Sequence, residues 1–188
     1  MSEIKEFVER RFSSALDMVK RKRLNEKSPI LDIYEETLIY DYTIEGYEQL
    51  NEDLRDEKEN KYEKYLNLSL DKLPNYKGVV YRGTELSKSQ LNRYKQALET
   101  EDSIIEKSFT STSKSILVAN QYSCANTIFS IISKTGKDIE LYSFYGSLTS
   151  QNEKEILFKS KSVFEVLEVD ESDQITRITL EEKQIIDE

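Results

Sequence analysis

Histidine is missing from this 188-residue chain. That excludes Ser-His-Asp and Cys-His nucleophile systems and the usual zinc sites. Any acid–base work must fall to carboxylates, tyrosine or lysine. Cysteine is nearly missing too. Cys124 is the only one, so no internal disulfide can form, and a reducing compartment fits, the chain's own cytoplasm or that of a target host cell. No apolar run approaches the roughly 18 residues a membrane span needs. Met1 to Glu6 lack the basic-then-apolar pattern of a signal peptide, so neither a span nor a signal peptide is expected. Positive charge is in short supply: 27 Lys and Arg stand against 36 Asp and Glu, for a net charge of −9. A nucleic-acid binder needs a basic face, so nucleic acid is not an expected partner, although a local basic pocket is compatible with that balance.

What remains suffices for a globular fold. The chain is 37% hydrophobic, with 12 Tyr and 7 Phe, enough for one core or two small packed subdomains. There are no repeats and no low-complexity linker, so one domain over 1–188 is expected. Ile4, Phe7, Val8, Phe12, Ala15 and Val19 recur at helical steps, which predicts an amphipathic helix over about 2–23. Ser28-Pro29 reads as a helix start, continuing from Ile30 to Tyr40. A further helix is expected from Tyr42-Thr43, with Thr43 as N-cap. Glu52 to Lys64 reads as a solvated face or loop. Tyr65 to Leu73 then leads to Pro74, which stops any helix before it. Residues 1–73 therefore read as helical and 74–188 as β-rich. Strands are expected at Val79-Val80-Tyr81 (ended by Arg82-Gly83), Ile104-Ile105, Phe109 to Ser113, Thr127 to Ile132, Glu155 to Phe158, Val163 to Val169 and Ile175 to Leu180. The last two form a hairpin over Glu171-Ser172-Asp173. Helices are expected at Ser87 to Leu98 and Ser115 to Tyr122.

Three stretches stand out. Ser150 to Phe158 runs from polar residues into Ile156-Leu157-Phe158, a loop feeding a buried strand. In an extended chain residues i and i+2 share a side, so Glu153 and Glu155 would project together with Lys154 turned away. The plain alternative is a charged loop in a chain that is 34% charged. Tyr81-Arg82-Gly83, at a strand end, offers an Arg for a phosphate and a Gly that lets a ligand approach the backbone. Its alternative is a surface Arg before a turn. Ser108 to Ser113 would place Ser111 and Ser113 on one face and Thr112 on the other. Hydroxyls on an inward face can orient a carboxylate or a sugar; otherwise this is a polar edge strand.

Taken in order, Arg-Gly, Ser-Thr-Ser and Glu-x-Glu are far more specific together than singly. In them the chain resembles the Arg-Ser-Glu class of mono-ADP-ribosyltransferases, the group containing the catalytic components of clostridial binary toxins. Arg82 matches the strand-end Arg, Ser111-Thr112-Ser113 the Ser-Thr-Ser motif, and Glu153-Lys154-Glu155 the Glu-x-Glu. Tyr42, Tyr47 and Asn51 have the spacing of the class's cofactor-facing helix, and Tyr122 falls where it has an aromatic beside the nicotinamide. The match runs from about Tyr40 to Val169. Tyr81 and Ala125 stand where the binary-toxin enzymes often have arginines, which implies fewer cationic contacts to the pyrophosphate. The class resembling diphtheria toxin and the poly-ADP-ribose polymerases needs a motif histidine and is excluded.

The resemblance implies an α+β fold, with the helical N-terminal layer packed on a split-sheet sandwich core. It implies NAD as co-substrate, no metal, and a protein acceptor. Breaking the nicotinamide–ribose bond makes an oxocarbenium-like sugar, which Glu155 would stabilise. Ser111 would orient Glu155 and Arg82 would bind a phosphate. Gly83, Thr112, Ser113, Tyr42, Asn51, Tyr47 and Tyr122 would face the co-substrate, the last two walling the nicotinamide end. Glu153, rather than Gln, implies an arginine acceptor. The expected activity is NAD-dependent ADP-ribosylation of protein arginine by a toxin or effector. The alternatives are an NAD glycohydrolase and a non-catalytic binding domain of the same fold.

Overall fold

The computed structural model describes residues 3–24, 30–122, 124–147 and 149–184. The expected helix over 2–23 is two helices, α1 (Glu3–Arg11) and α2 (Ser13–Lys22). Phe12 leaves helical geometry between them, at φ −125° and ψ 37°. Its ring packs against Phe7 and Tyr62, with centroids 5.6 and 4.8 Å away. Aromatic packing onto a neighbouring helix overrides the local period here. The start expected at Ser28-Pro29 lies outside the described residues. Helix α3 (Ile33–Asp41) is capped by Asp32, whose carboxylate accepts the Tyr34 and Glu35 N–H groups while the Glu35 side chain accepts the Asp32 N–H. This reciprocal pair satisfies otherwise unpartnered donors.

No new helix starts at Thr43. The chain runs through a π-helical turn (Tyr42–Gly46) directly into α4 (Tyr47–Arg55). Thr43 is not an N-cap: its hydroxyl donates to the Tyr40 carbonyl at 2.9 Å. Such wide turns often mark functional positions. Around this one Tyr42 is 2% exposed and Tyr47 42%. The charged stretch 52–64 is less loop than expected, because α4 runs to Arg55 and α5 (Lys61–Asp71) begins at an Asn60 cap.

After Pro74 the chain is mostly strand. β1 (Asn75–Thr84) runs through Arg82-Gly83 rather than ending there. A Ser87–Gln90 capping box opens α6 (Lys88–Thr100). β2 (Ser103–Glu106) and β3 (Thr110–Ser113) follow, then a single turn, α7 (Ile116–Ala119), where a longer helix was expected. β4 (Thr127–Asp138) is longer than its sequence signal, and β5 (Glu155–Phe158), β6 (Ser162–Asp170) and β7 (Thr176–Lys183) complete the core.

The sheet is split. β1, β4, β7, β6 and β2 lie side by side, with β4–β7 parallel and the other pairs antiparallel. β3 and β5 form an antiparallel pair set against them. It joins the larger part only at Tyr81–Ser113 and at Lys137–Leu157 and Asp138–Ile156. Every residue of β5 is buried. Ile156 and Phe158 pack with Val80, Phe129 and Phe164 between the sheets, whereas Leu157 packs with Leu38, Leu66 and Leu70 under the helices. Glu155 shares the Leu157 face by alternation. It therefore points at the seam between sheet and helical layer. Among the described residues no helix is long and apolar enough to cross a membrane.

Candidate active site

That seam opens as a cavity of about 920 Å³, lined by the π turn, α4, β1, β3, α7 and the loop before β5. All of the expected residues line it: Arg82, Gly83, Ser111, Thr112, Ser113, Tyr42, Tyr47, Asn51, Tyr122, Glu153 and Glu155. A second cavity of about 620 Å³ shares Arg82, Thr84 and Phe109 with the first, and adds Arg55, Arg93 and Lys107 at its walls. Arg82 thus lines both hollows. It is the local basic spot that the acidic composition leaves room for.

Glu155 sits at the floor, 4% exposed. Burial pushes its carboxyl up to about 7. A hydrogen bond from Ser111 opposes that shift, the Glu153 charge adds to it, and the Arg82 charge and a hydrogen bond from Ser143 oppose it. Ser143 carried no signal in the sequence: a serine in a loop has no period to mark it. Glu153 is half buried, and burial raises its carboxyl as well. The two carboxylates do not owe their proximity to an extended i, i+2 pair. Lys154 has φ +50°, and β5 begins only at Glu155. Glu153 is instead held by its backbone: its N–H donates to the Tyr145 carbonyl at 2.9 Å, and its carbonyl accepts the Ser113 hydroxyl at 2.6 Å.

The three hydroxyls of β3 divide their work. Thr112 donates to the Ile156 carbonyl at 2.7 Å and Ser113 to Glu153, so both knit the chain together. The Ser111 hydroxyl is the one that acts on Glu155, lowering its carboxyl against the effect of burial. Arg82 donates through Nη1 to the Ser111 carbonyl at 2.7 Å, so it stitches β1 to β3 besides lining the cavities. Gly83 has a different reason from the one its sequence context suggests. A Cβ there would collide with the Ala119 carbonyl oxygen. The glycine admits α7 against β1 and so shapes the wall, rather than clearing a path for a ligand.

Tyr42 accepts a hydrogen bond from Asn51 at 3.1 Å, and the Asn51 carbonyl accepts the Phe109 N–H at 3.1 Å. Burial raises the Tyr42 phenol. This pair ties α4 to the start of β3 and fixes one wall. Tyr47 and Tyr122, 42% and 56% exposed, stand at the open mouth. Among the described residues no group of three or more His, Cys, Asp or Glu side chains could hold a metal ion.

The chain is similar to known proteins. A protein-family model described as NAD:arginine ADP-ribosyltransferase matches residues 19–186. A protein of Mycobacterium avium (strain 104), named as the NAD(+)–arginine ADP-ribosyltransferase Mav, is 38% identical over 145 residues, 74% of this chain and 16% of that protein. Vis of Vibrio splendidus (strain 12B01), named likewise, is 29% identical over 167 residues, 78% of this chain and 64% of that protein. The chain spans less than two thirds of the length of either. A crystal structure of Vis in complex with agmatine matches with a TM-score of 0.65 at 24% identity, over 98% of this chain and 87% of that one. Exoenzyme S of Pseudomonas aeruginosa, solved with human 14-3-3 protein beta and carba-NAD, matches with a TM-score of 0.76 at 22% identity, over 95% and 86%. At these identities the two structures show a common fold.

Proposed function

The chain belongs to the NAD:arginine ADP-ribosyltransferase family, and we propose that it transfers ADP-ribose from NAD to arginine side chains of a protein acceptor, releasing nicotinamide. The observation that carries this is Glu155: a buried carboxylate lining one cleft with Ser111, Arg82 and a second carboxylate, Glu153. On this proposal residues 1–188 act as one catalytic domain. Its helical part (1–73) and its β-rich part (74–188) share the cleft. Cys124 is exposed and cannot form an internal disulfide, which suits work in a reducing cytoplasm.

The residues fit NAD as a substrate. A dinucleotide has two bulky ends and an anionic middle, and Arg82 lines both cavities. Arg82 would take the pyrophosphate, and Tyr47 and Tyr122 would flank the nicotinamide end. When the glycosidic bond breaks, its electron pair goes to nicotinamide and neutralises the pyridinium. Positive charge develops on the ribose, where Glu155 stabilises it. Agmatine, the ligand of the Vis crystal structure, carries the same guanidinium as arginine, and Glu153 is placed to pair with that planar group. A guanidinium nitrogen then bonds to the ribose carbon and loses a proton, for which Glu153 is an acceptor within the cleft.

The test is incubation with labelled NAD and a cell lysate, followed by identification of the modified side chain. Label on arginine is the expected result. Nicotinamide release with no labelled protein would assign water as the acceptor, and no release at all would leave only a binding domain.

Arg82→Ala should weaken NAD binding by one to two orders of magnitude, since a charge-assisted contact contributes roughly 1.5–3 kcal/mol. Its bond to the Ser111 carbonyl means that the melting temperature should fall as well. Arg82→Lys, which keeps the charge but loses the planar fork, should lie between the two. Calorimetric titration reads the affinity, and an unchanged value in Arg82→Ala would remove Arg82 from the site.

A further inference from the structure

Every backbone polar group of Glu153 and Lys154 is engaged. The Glu153 N–H donates to the Tyr145 carbonyl at 2.9 Å, and the Glu153 carbonyl accepts the Ser113 hydroxyl at 2.6 Å. The Lys154 carbonyl accepts the Lys114 N–H at 3.0 Å, and the Lys154 N–H donates to Asn152 Oδ1 at 2.8 Å. The Glu153 carboxylate is the exception: among the described residues it has no hydrogen bond or ion pair. The backbone is clamped while the side chain is left for a ligand. Lys154 holds φ +50°, a left-handed conformation that a lysine keeps only where its neighbours hold it.

The clamp is anchored outside the cleft. The other arm of Asn152, Nδ2, donates to Glu140 Oε1 at 2.6 Å. Valence fixes this assignment, because a backbone N–H needs the amide oxygen and a carboxylate needs the amide hydrogens. Glu140 Oε2 accepts from Lys114 Nζ at 2.7 Å, and the same ammonium reaches Asp138 Oδ2, at the end of β4, at 2.8 Å. Lys114 and Glu140 are only 25% and 22% exposed, so solvent screens this pair less than one on the open surface. The bonds from Lys114 and Asn152 hold the Glu140 carboxyl below its usual range. Lys114 therefore closes a ring: its side chain holds Glu140, its N–H holds Lys154, and Asn152 joins the two. Asn152 lines the 920 Å³ cavity, whereas Lys114 and Glu140 do not.

We propose that Lys114, Glu140 and Asn152 are positioning residues for Glu153, fixing where its carboxylate meets the acceptor guanidinium. The inference rests on the acceptor role proposed for Glu153. Glu155 lies beyond the ring, at the first position of a buried strand paired to β3, so bond breaking does not depend on the ring.

The test reads the two activities separately in Glu140→Ala, which changes a residue outside the cavity. Its kcat/KM for agmatine should fall about tenfold or more, because small displacements of a positioning group are costly. Nicotinamide release to water and KM for NAD should stay within about twofold of the parent. Asn152→Ala should lose agmatine transfer at least as far, and the double variant no further than Asn152→Ala alone, because the pair acts through one bond. Amide exchange followed by NMR reads the loop without substrate: the Lys154 N–H should exchange about tenfold faster in Glu140→Ala, with the amides of β5 unchanged. Agmatine transfer at the parent's level, equal losses of transfer and hydrolysis in folded Glu140→Ala, or additive losses in the double variant each overturn the proposal. A parent that transfers nothing to agmatine overturns the acceptor reading, whereas an unmoved Lys154 amide overturns the positioning, so the two failures are distinct. Should Glu140→Ala not fold, Lys114→Met must show the same split, with Lys114→Arg, whose fork can still span two carboxylates, close to the parent.

Discussion

Glu155→Gln should abolish both arginine transfer and NAD hydrolysis, by about two to three orders of magnitude or more. Glutamine keeps the volume of the side chain, and its carbonyl can still accept a hydrogen bond. It loses only the charge. A charge that matters only as the sugar turns cationic changes the rate and not the ground-state binding, so NAD affinity should change far less than kcat. The variant should also melt no lower than the parent above pH 7. The sign follows from the raised carboxyl: with its folded value at about 7 and the ordinary value at 4.5, the native protein carries the ionised form at a cost once pH exceeds 7, and the amide removes that cost. Loss of activity with retained stability therefore marks chemistry. A Glu155→Gln protein that releases nicotinamide at a tenth of the parent rate would remove Glu155 from the centre of the mechanism.

The same carboxyl sets a pH dependence. At pH 5 to 6 an ordinary glutamate is ionised, whereas a buried one titrating near 7 is mostly protonated and cannot stabilise a cation. The parent's kcat/KM for NAD should rise from acid pH with a midpoint near 7, since that parameter reports the free enzyme. A kcat/KM that is flat from pH 5 to 8 would contradict the assignment.

The sequence made the chemistry more legible than the frame that holds it. Arg82 and Glu155 are charged residues beside short apolar runs and Ser111 lies in a run of hydroxyl residues, and their order along the chain is informative without coordinates. Periodicity over Ile4 to Val19 showed that the stretch is helical, but not the break within it, which tertiary contacts decide. Phe12 leaves its helix to pack on Tyr62. The π turn hides an insertion inside a continuous helix, which no propensity marks. Two local rules were applied in the wrong place. Alternation failed at Lys154 because a left-handed residue separates the two glutamates. The glycine at 83 proved to serve a neighbour distant in sequence, Ala119.

Glu153→Gln should separate acceptor choice from bond breaking. The Glu153 backbone is already fixed by Tyr145 and by Ser113, so the substitution leaves the loop in place and alters only what the side chain offers. A glutamine can hydrogen-bond a guanidinium but cannot pair with its charge, and loss of a charge-assisted contact costs roughly 10- to 100-fold. Transfer to agmatine should fall by at least that much, and further where the same carboxylate accepts the proton that the attacking nitrogen loses. Nicotinamide release to water should persist, because Glu155, Ser111 and Arg82 are untouched. Removing the Glu153 charge removes one of the influences that hold Glu155 protonated, so the midpoint of hydrolysis should shift toward lower pH. Both activities are measured on one preparation across pH. Hydrolysis lost in Glu153→Gln but retained in Glu155→Gln would exchange the roles of the two residues. Undiminished agmatine transfer by Glu153→Gln would mean that some other group selects arginine, and the exposed tyrosines at the mouth, Tyr47 and Tyr122, would be the next to replace.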